Sequence, residues 1–143
     1  MKKYTPYLAW MLLLSTSACA NDYDSRIDLV MSKMVEAFEL EGGNRKVDEY
    51  TDLIKIEYHE YKNIVLLTHE VDIRGMLDKE YLDDSSALKI MNINKAMVCL
   101  SGFGVLLKNK LIKIEHVFLD KKSKHLVLKY IISSEDCGVR NEK

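Results

Sequence analysis

The sequence predicts an α+β fold: an antiparallel four-stranded sheet with two helices packed on one face, in αββ-αββ order. Three observations carry that expectation. Two segments place apolar residues at helical spacing, and two others pair alternating apolar runs across a compact polar break. The pentapeptide Leu-Ile-Lys-Ile-Glu also occurs in both paired regions, at 53–57 and at 111–115. With 143 residues, 48% of them hydrophobic and 30% charged, the chain is long enough to bury a core and short enough for one domain.

The N-terminal stretch reads as an export signal. Lys2 and Lys3 form a positive start, Tyr7 to Leu14 an apolar run, and Ala18-Cys19-Ala20 a small-residue cleavage site. Cleavage after Ala20 leaves residues 21–143 as a single α+β domain, mildly acidic because the excised segment carries two Lys and no acid. Ser17-Ala18-Cys19 also resembles a lipobox, with Thr16 where Leu is usual, so Cys19 is a candidate lipidation site. The apolar run is too short for a bilayer span. The expected location is the periplasm or the exterior, or the outer membrane as a lipoprotein, with membrane contact only if Cys19 is acylated. A balance of 21 Lys+Arg against 22 Asp+Glu, with no basic run longer than a dipeptide, lacks the electrostatic footprint of a nucleic-acid binder.

Of the three Cys, at 19, 99 and 137, either processing route removes the first. Cys99 and Cys137 are then an even pair in an oxidising compartment, where bridging is expected and would contribute roughly 3–4 kcal/mol on the chain-entropy argument. Two buried, unpaired thiols are the alternative. There is no C-x-x-C to suggest redox catalysis.

The first helix is expected after Asp24-Ser25, with Ser25 and Asp28 as a capping-box-like pair. Ile27, Val30, Met31, Met34, Val35 and Phe38 follow at core spacing, and Gly42-Gly43 ends the helix. A hairpin then runs from Asp52 to Tyr61, turns at Lys62-Asn63 and returns from Ile64 to Val71. In that register Ile54, Ile56 and Tyr58 share the core face with Leu67, His69 and Val71, while Lys55, Glu57, Thr68 and Glu70 face water.

Residues Asp72 to Asp84 read as a solvated acidic connector. Asp78, Glu80, Asp83 and Asp84 invite a calcium reading, but the glycine turn and terminal bidentate Glu of a loop site are missing. The second helix, Ser86 to about Leu100, carries Ile90, Ile93, Met97 and Leu100 along one side and stops near Gly102 and Gly104. Val105-Leu106-Leu107 reads as an apolar turn lidding the core. A second hairpin runs from Leu111 through Lys121–Lys124 to Ile132. The shared pentapeptide makes a duplicated αββ unit one reading, and chance identity of two short strands the other.

The stretch from Cys99 to Cys137 resembles a pattern found in small exported bacterial two-cysteine α+β proteins of uncharacterised function. It rests on Cys99, Leu106-Leu107, Phe118-Leu119-Asp120 and Ser134-Glu135-Asp136-Cys137. Lys110 stands where the pattern usually has Gly, and the turn at 121–124 has none. The resemblance implies a Cys99–Cys137 bridge and transfers no catalytic residue.

Catalytic chemistry finds little support. His59, His69, His116 and His125 form no H-E-x-x-H pair; strand-edge or partly buried imidazoles explain them, with a zinc site at His59 and Glu57 as the alternative. Ser101-Gly102-Phe103-Gly104 follows a helix and so fits neither a nucleophile elbow nor a phosphate-binding turn. Paired carboxylates for glycoside hydrolysis need a substrate cleft, and a domain this small leaves little room for a deep one. The expectation is no cofactor, no metal and no catalysis. The far face of the sheet mixes Tyr61, Ile64, Leu66, Val117 and Leu119 with Lys55, Glu57, Lys113 and Glu115, and these five apolar residues are candidate protein-binding residues. Partial cover by the 72–84 connector is the alternative. The sequence thus points to an exported binding or accessory protein of a secretion, pilus or conjugation apparatus, with an inhibitor or immunity protein for a periplasmic enzyme as the alternative and a small periplasmic enzyme as the remaining one.

Overall fold

The computed structural model describes residues 23–138. The export signal, its cleavage site and Cys19 lie outside the described residues. Helix α1 (Tyr23–Leu40) is followed by strands β1 (Arg45–Lys46), β2 (Thr51–His59) and β3 (Ile64–Val71), then by helices α2 (Ile73–Leu77), α3 (Asp84–Leu100) and α4 (Gly102–Lys108), and finally by β4 (Lys113–Asp120) and β5 (Leu126–Ile132). No single described helix is long and apolar enough to cross a membrane.

Helix α1 buries Ile27, Met31 and Phe38, with Val30, Met34 and Val35 packed beside them, as the spacing predicts. Its C-terminus closes with Gly43 N–H bonded to the Phe38 carbonyl and Gly42 N–H to that of Glu39, the double bond of a Schellman motif. Gly42, at φ +105°, supplies the left-handed turn. The helix already includes Tyr23, so Ser25 and Asp28 lie within it rather than capping it. Asp28 instead accepts a 2.6 Å bond from the Tyr58 hydroxyl on β2.

The sheet has five strands, in order β1-β2-β3-β4-β5. The expected four antiparallel strands need two corrections. Arg45 and Lys46 add a short edge strand against Leu53 and Asp52, and β3 and β4 run parallel, from Ile64 opposite Lys113 to Val71 opposite Asp120. The physical reason lies between them. A 17-residue helix such as α3 spans about 25 Å, enough to return the chain along the full length of β3, so the next strand starts at the same end.

That parallel contact also argues against duplication. Seen from the core face, two copies of one αββ unit placed side by side would bring β3 and β4 together antiparallel, or reverse the order of β4 and β5. Neither occurs. The shared pentapeptide is therefore not the trace of two superposable units.

One face of the sheet forms the core. Val65, Leu67, His69 and Val71 on β3 lie beside Ile114, His116 and Phe118 on β4, with Tyr130 and Ile132 on β5 and Leu53 and Ile56 on β2. Leu53 replaces the expected Ile54 because the register shifts between Leu53 and Lys55, a bulge that turns Ile54 partly outward. Within the 72–84 connector, α2 buries Ile73 and is capped by Asp72, whose side chain accepts the Gly75 N–H at 2.9 Å. Val105-Leu106-Leu107 belongs to a helix, not a turn: α4 starts at the Ser101 cap and buries Leu106 and Leu107. A side chain at Gly104 would run into the Cys99 carbonyl, so glycine permits the sharp α3–α4 corner.

Cys99, near the end of α3, is bonded to Cys137 in a 3-10 turn after β5 (Ser134–Cys137), fastening the helix layer to the end of the sheet. Lys110 and Lys124 both have left-handed backbones, at φ +58° and +62°. These fall in the two places where the sequence lacked the glycine that its pattern would lead one to expect.

Candidate functional site

The solvent face of the sheet is ordered by register into cross-strand rows. One row holds Glu57, Leu66, Glu115 and Ile131, and the next holds Lys55, Thr68, Val117 and Lys129. Ile64 sits beside Lys113 at one end and Leu119 beside Glu70 at the other. Leu66 and Val117 are diagonal neighbours on the two central strands, so the face has an apolar centre. Ile64, Leu66, Val117 and Leu119 are all partly exposed, and the structure brings these four predicted residues onto one surface.

Tyr61 does not join them. The hairpin closes through a 3-10 turn at Glu60–Lys62 with Asn63 left-handed, which places Tyr61 beyond the strand, fully exposed at the tip. The sequence reading also missed Ile131, 47% exposed in the same row as Leu66. Its signal was the alternation of Lys129 and Ile131 with buried Tyr130 and Ile132.

Ion pairs rim this apolar centre. Lys129 reaches Glu115 at 2.6 Å, Lys55 reaches Glu57 at 3.0 Å, Lys124 reaches Glu70 at 2.6 Å and Lys121 reaches Asp52 at 2.8 Å. Exposed pairs of this kind contribute under about 1 kcal/mol each. Their main effect is to keep the charges on the surface satisfied while leaving the aliphatic side chains open to a partner.

The opposite face carries the molecule's buried polar cluster. His69 and His116, each 4% exposed, meet with Nε2 of the first 3.1 Å from Nδ1 of the second. Phe118 stacks on His69 at 4.6 Å and Tyr130 on His116 at 5.1 Å. Either tautomer leaves one buried donor and one buried acceptor unpaired, at His69 Nδ1 and His116 Nε2. Burial lowers the His69 pKa to about 4; burial and then the neighbouring His69 lower that of His116 to about 3. Both rings are therefore neutral at pH 7. Burial pushes the Tyr130 phenol up to about 12, while its oxygen accepts a 2.6 Å bond from the Asn94 amide on α3.

His59 and His125 are exposed at strand ends and take no part in this pair. Among the described residues, no three His, Cys, Asp or Glu side chains converge as metal ligands. Nor does the His pair resemble an acid–base site, because its rings are closed in by aromatic neighbours and have no exposed partner.

No protein-family model matches the chain, and no curated protein sequence matches it. Solved structures do share the fold. The pilotin AspS of the Vibrio cholerae type II secretion system aligns with a TM-score of 0.59 at 9% identity, over 81% of this chain and 96% of its own. The pilotin EpsS of the Vibrio vulnificus type 2 secretion system aligns at 0.58 and 9% identity, over 82% of this chain and 96% of its own. A Pseudomonas aeruginosa protein assigned as secreted aligns at 0.55 and 15% identity, over 85% of this chain and all of its own. At such identities the likeness is one of fold: the chain has an α+β architecture shared with these two pilotins and with the Pseudomonas aeruginosa protein.

Proposed function

We propose that this chain is a non-enzymatic exported envelope protein that serves as a protein-binding accessory factor of a secretion apparatus. The supporting observation is the extent of the fold likeness, which spans over four-fifths of this chain and nearly the whole of each of the two pilotins. Its proposed contact surface is the open sheet face, with Ile64, Leu66, Val117 and Leu119 as the apolar centre and Tyr61 at the rim. Partner side chains of matching shape would displace water from this centre, and the surrounding ion pairs would set orientation.

Deleting the gene and measuring the protein released by the host's secretion apparatus tests the reading. Release should fall and be restored by the wild-type gene, but not by Tyr61→Ser/Leu66→Ser, whose side chains lie outside the core and whose melting should be nearly unchanged. Unaltered release in the deletion strain would remove the secretion role. Full rescue by the double variant would place the contact surface elsewhere.

A further inference from the structure

The two edges of the sheet are guarded differently. At one edge, β2 carries β1 over Asp52 and Leu53, and beyond them a bulge and the outward charges of Lys55 and Glu57 interrupt further pairing. At the other, β5 ends the strand order, and no described strand pairs with its outer side. Its seven residues include neither Pro nor Gly. Its single charge, Lys129, is drawn back over the sheet by Glu115 at 2.6 Å. The register shift between Phe118 and Leu119 disturbs only the start of the strand, so Leu128 to Ile132 run regularly along an open edge.

Side chains on this edge are only half covered. Leu126 and Ile131 are 58% and 47% exposed, and Leu128 stays partly exposed although it lies on the core face opposite Phe118. Unpaired backbone groups beside exposed apolar side chains form a template for another strand.

Charge selects that strand. On the solvent face, the row Lys55, Thr68, Val117 and Lys129 has bases and no acid, and the row Glu57, Leu66, Glu115 and Ile131 has acids and no base. A second β5 laid antiparallel along the first, with the two-fold axis at Tyr130, sets Lys129 opposite Ile131 of the second copy and Leu128 opposite its Ile132. The basic row of each copy then runs into the acidic row of the other, twice by symmetry. An axis at Lys129 would set that lysine against itself, and an axis at Ile131 would join the two acidic rows.

We propose that a second copy of this chain docks along the outer edge of β5, antiparallel and centred on Tyr130, joining the two five-stranded sheets into one continuous sheet. This surface is the edge of the sheet rather than its open face or its helix layer. It holds or fails independently of the secretion role proposed above.

Sedimentation velocity of the processed protein between about 1 μM and 1 mM tests the pairing. A reversible monomer–dimer equilibrium is expected. Ile131→Lys, at an exposed position, sets lysine against Lys129 of the second copy and should raise the dimer dissociation constant tenfold or more, with the melting curve of the dilute protein unchanged. Cross-linking reads the register and remains decisive should Ile131→Lys not fold. On oxidation, a mixture of Lys129→Cys and Ile131→Cys proteins should link chiefly between the two variants, because opposite residues on paired strands hold their Cβ atoms about 5 Å apart, while either variant alone should link far less. A monomer at every concentration would overturn the proposal. So would a dimer that forms equally well with Ile131→Lys, that cross-links as readily through Lys129→Cys alone, or that dissociates only when Ile93, Met97 and Leu100 on α3 are changed to Ser.

Discussion

The pentapeptide Leu-Ile-Lys-Ile-Glu is built twice into one sheet, and its two copies offer different residues to the core. In the first copy, on β2, Leu53 and Ile56 are buried, and a bulge turns Ile54 partly outward. In the second, leading into β4, Ile112 and Ile114 are buried instead, at 2% and 0% exposure. The residue that follows differs as well. Tyr58 after the first copy keeps its hydroxyl on Asp28, while His116 after the second stacks into the buried His69 pair. Identical local sequence specifies a strand in both places. Neighbours decide its face: β4 lies between two full strands, whereas β2 has only a two-residue strand on its outer side.

Acid should separate the two copies most strongly. The folded state holds His69 and His116 well below the ordinary 6.5, so between pH 6.5 and their folded values of about 4 and 3 the unfolded chain binds more protons. Stability from this pair is complete above about pH 7 and is lost as pH falls, by about 4 kcal/mol between pH 7 and pH 5. Urea midpoints measured at those two values should show the drop, and His69→Leu/His116→Phe should flatten it. An equally steep profile in the double variant would move the acid sensitivity elsewhere. The first copy has no counterpart in this range, since burial and Asp28 push the Tyr58 phenol upward.

Truncation should follow in size. Ile114→Ala removes a fully buried side chain from a central strand and should cost about 3 kcal/mol, while Ile54→Ala, at the bulge of the first copy, should cost about 1 kcal/mol or less. Equal losses in denaturant melts would mean that the bulge does not distinguish the copies.

The smallest effect concerns the entry to the second copy. Lys110 holds a left-handed backbone just before Leu111, so Lys110→Gly should relieve strain and raise stability by about 0.5 kcal/mol. A lower melting temperature would show that the Lys110 side chain contributes more than its backbone costs.

Much of the candidate surface was legible. Leu66 and Val117 followed from period-two alternation, which holds wherever one face of a strand is buried. Tyr61 was misplaced because a 3-10 turn, not a two-residue one, closes the hairpin. Ile93, Met97 and Leu100 were read correctly as lying along one side of the helix, and the structure turns that side to solvent. Periodicity shows that a helix has an apolar side, and says nothing about which molecule will cover it.

The sequence by itself determined the helical run from Ile27 to Phe38, the strands around both pentapeptides and the inward position of His69. Each depends on spacing within a few residues, where backbone geometry and side-chain direction are locked together. The parallel contact of β3 with β4, the fifth strand, the bulge at Ile54, the meeting of His69 with His116 and the outward face of α3 were decided only in the tertiary structure. Each of these depends on which element comes to lie beside which. That choice is set by the length of the helical return and by competition for a single buried face, energies that no short window of sequence contains.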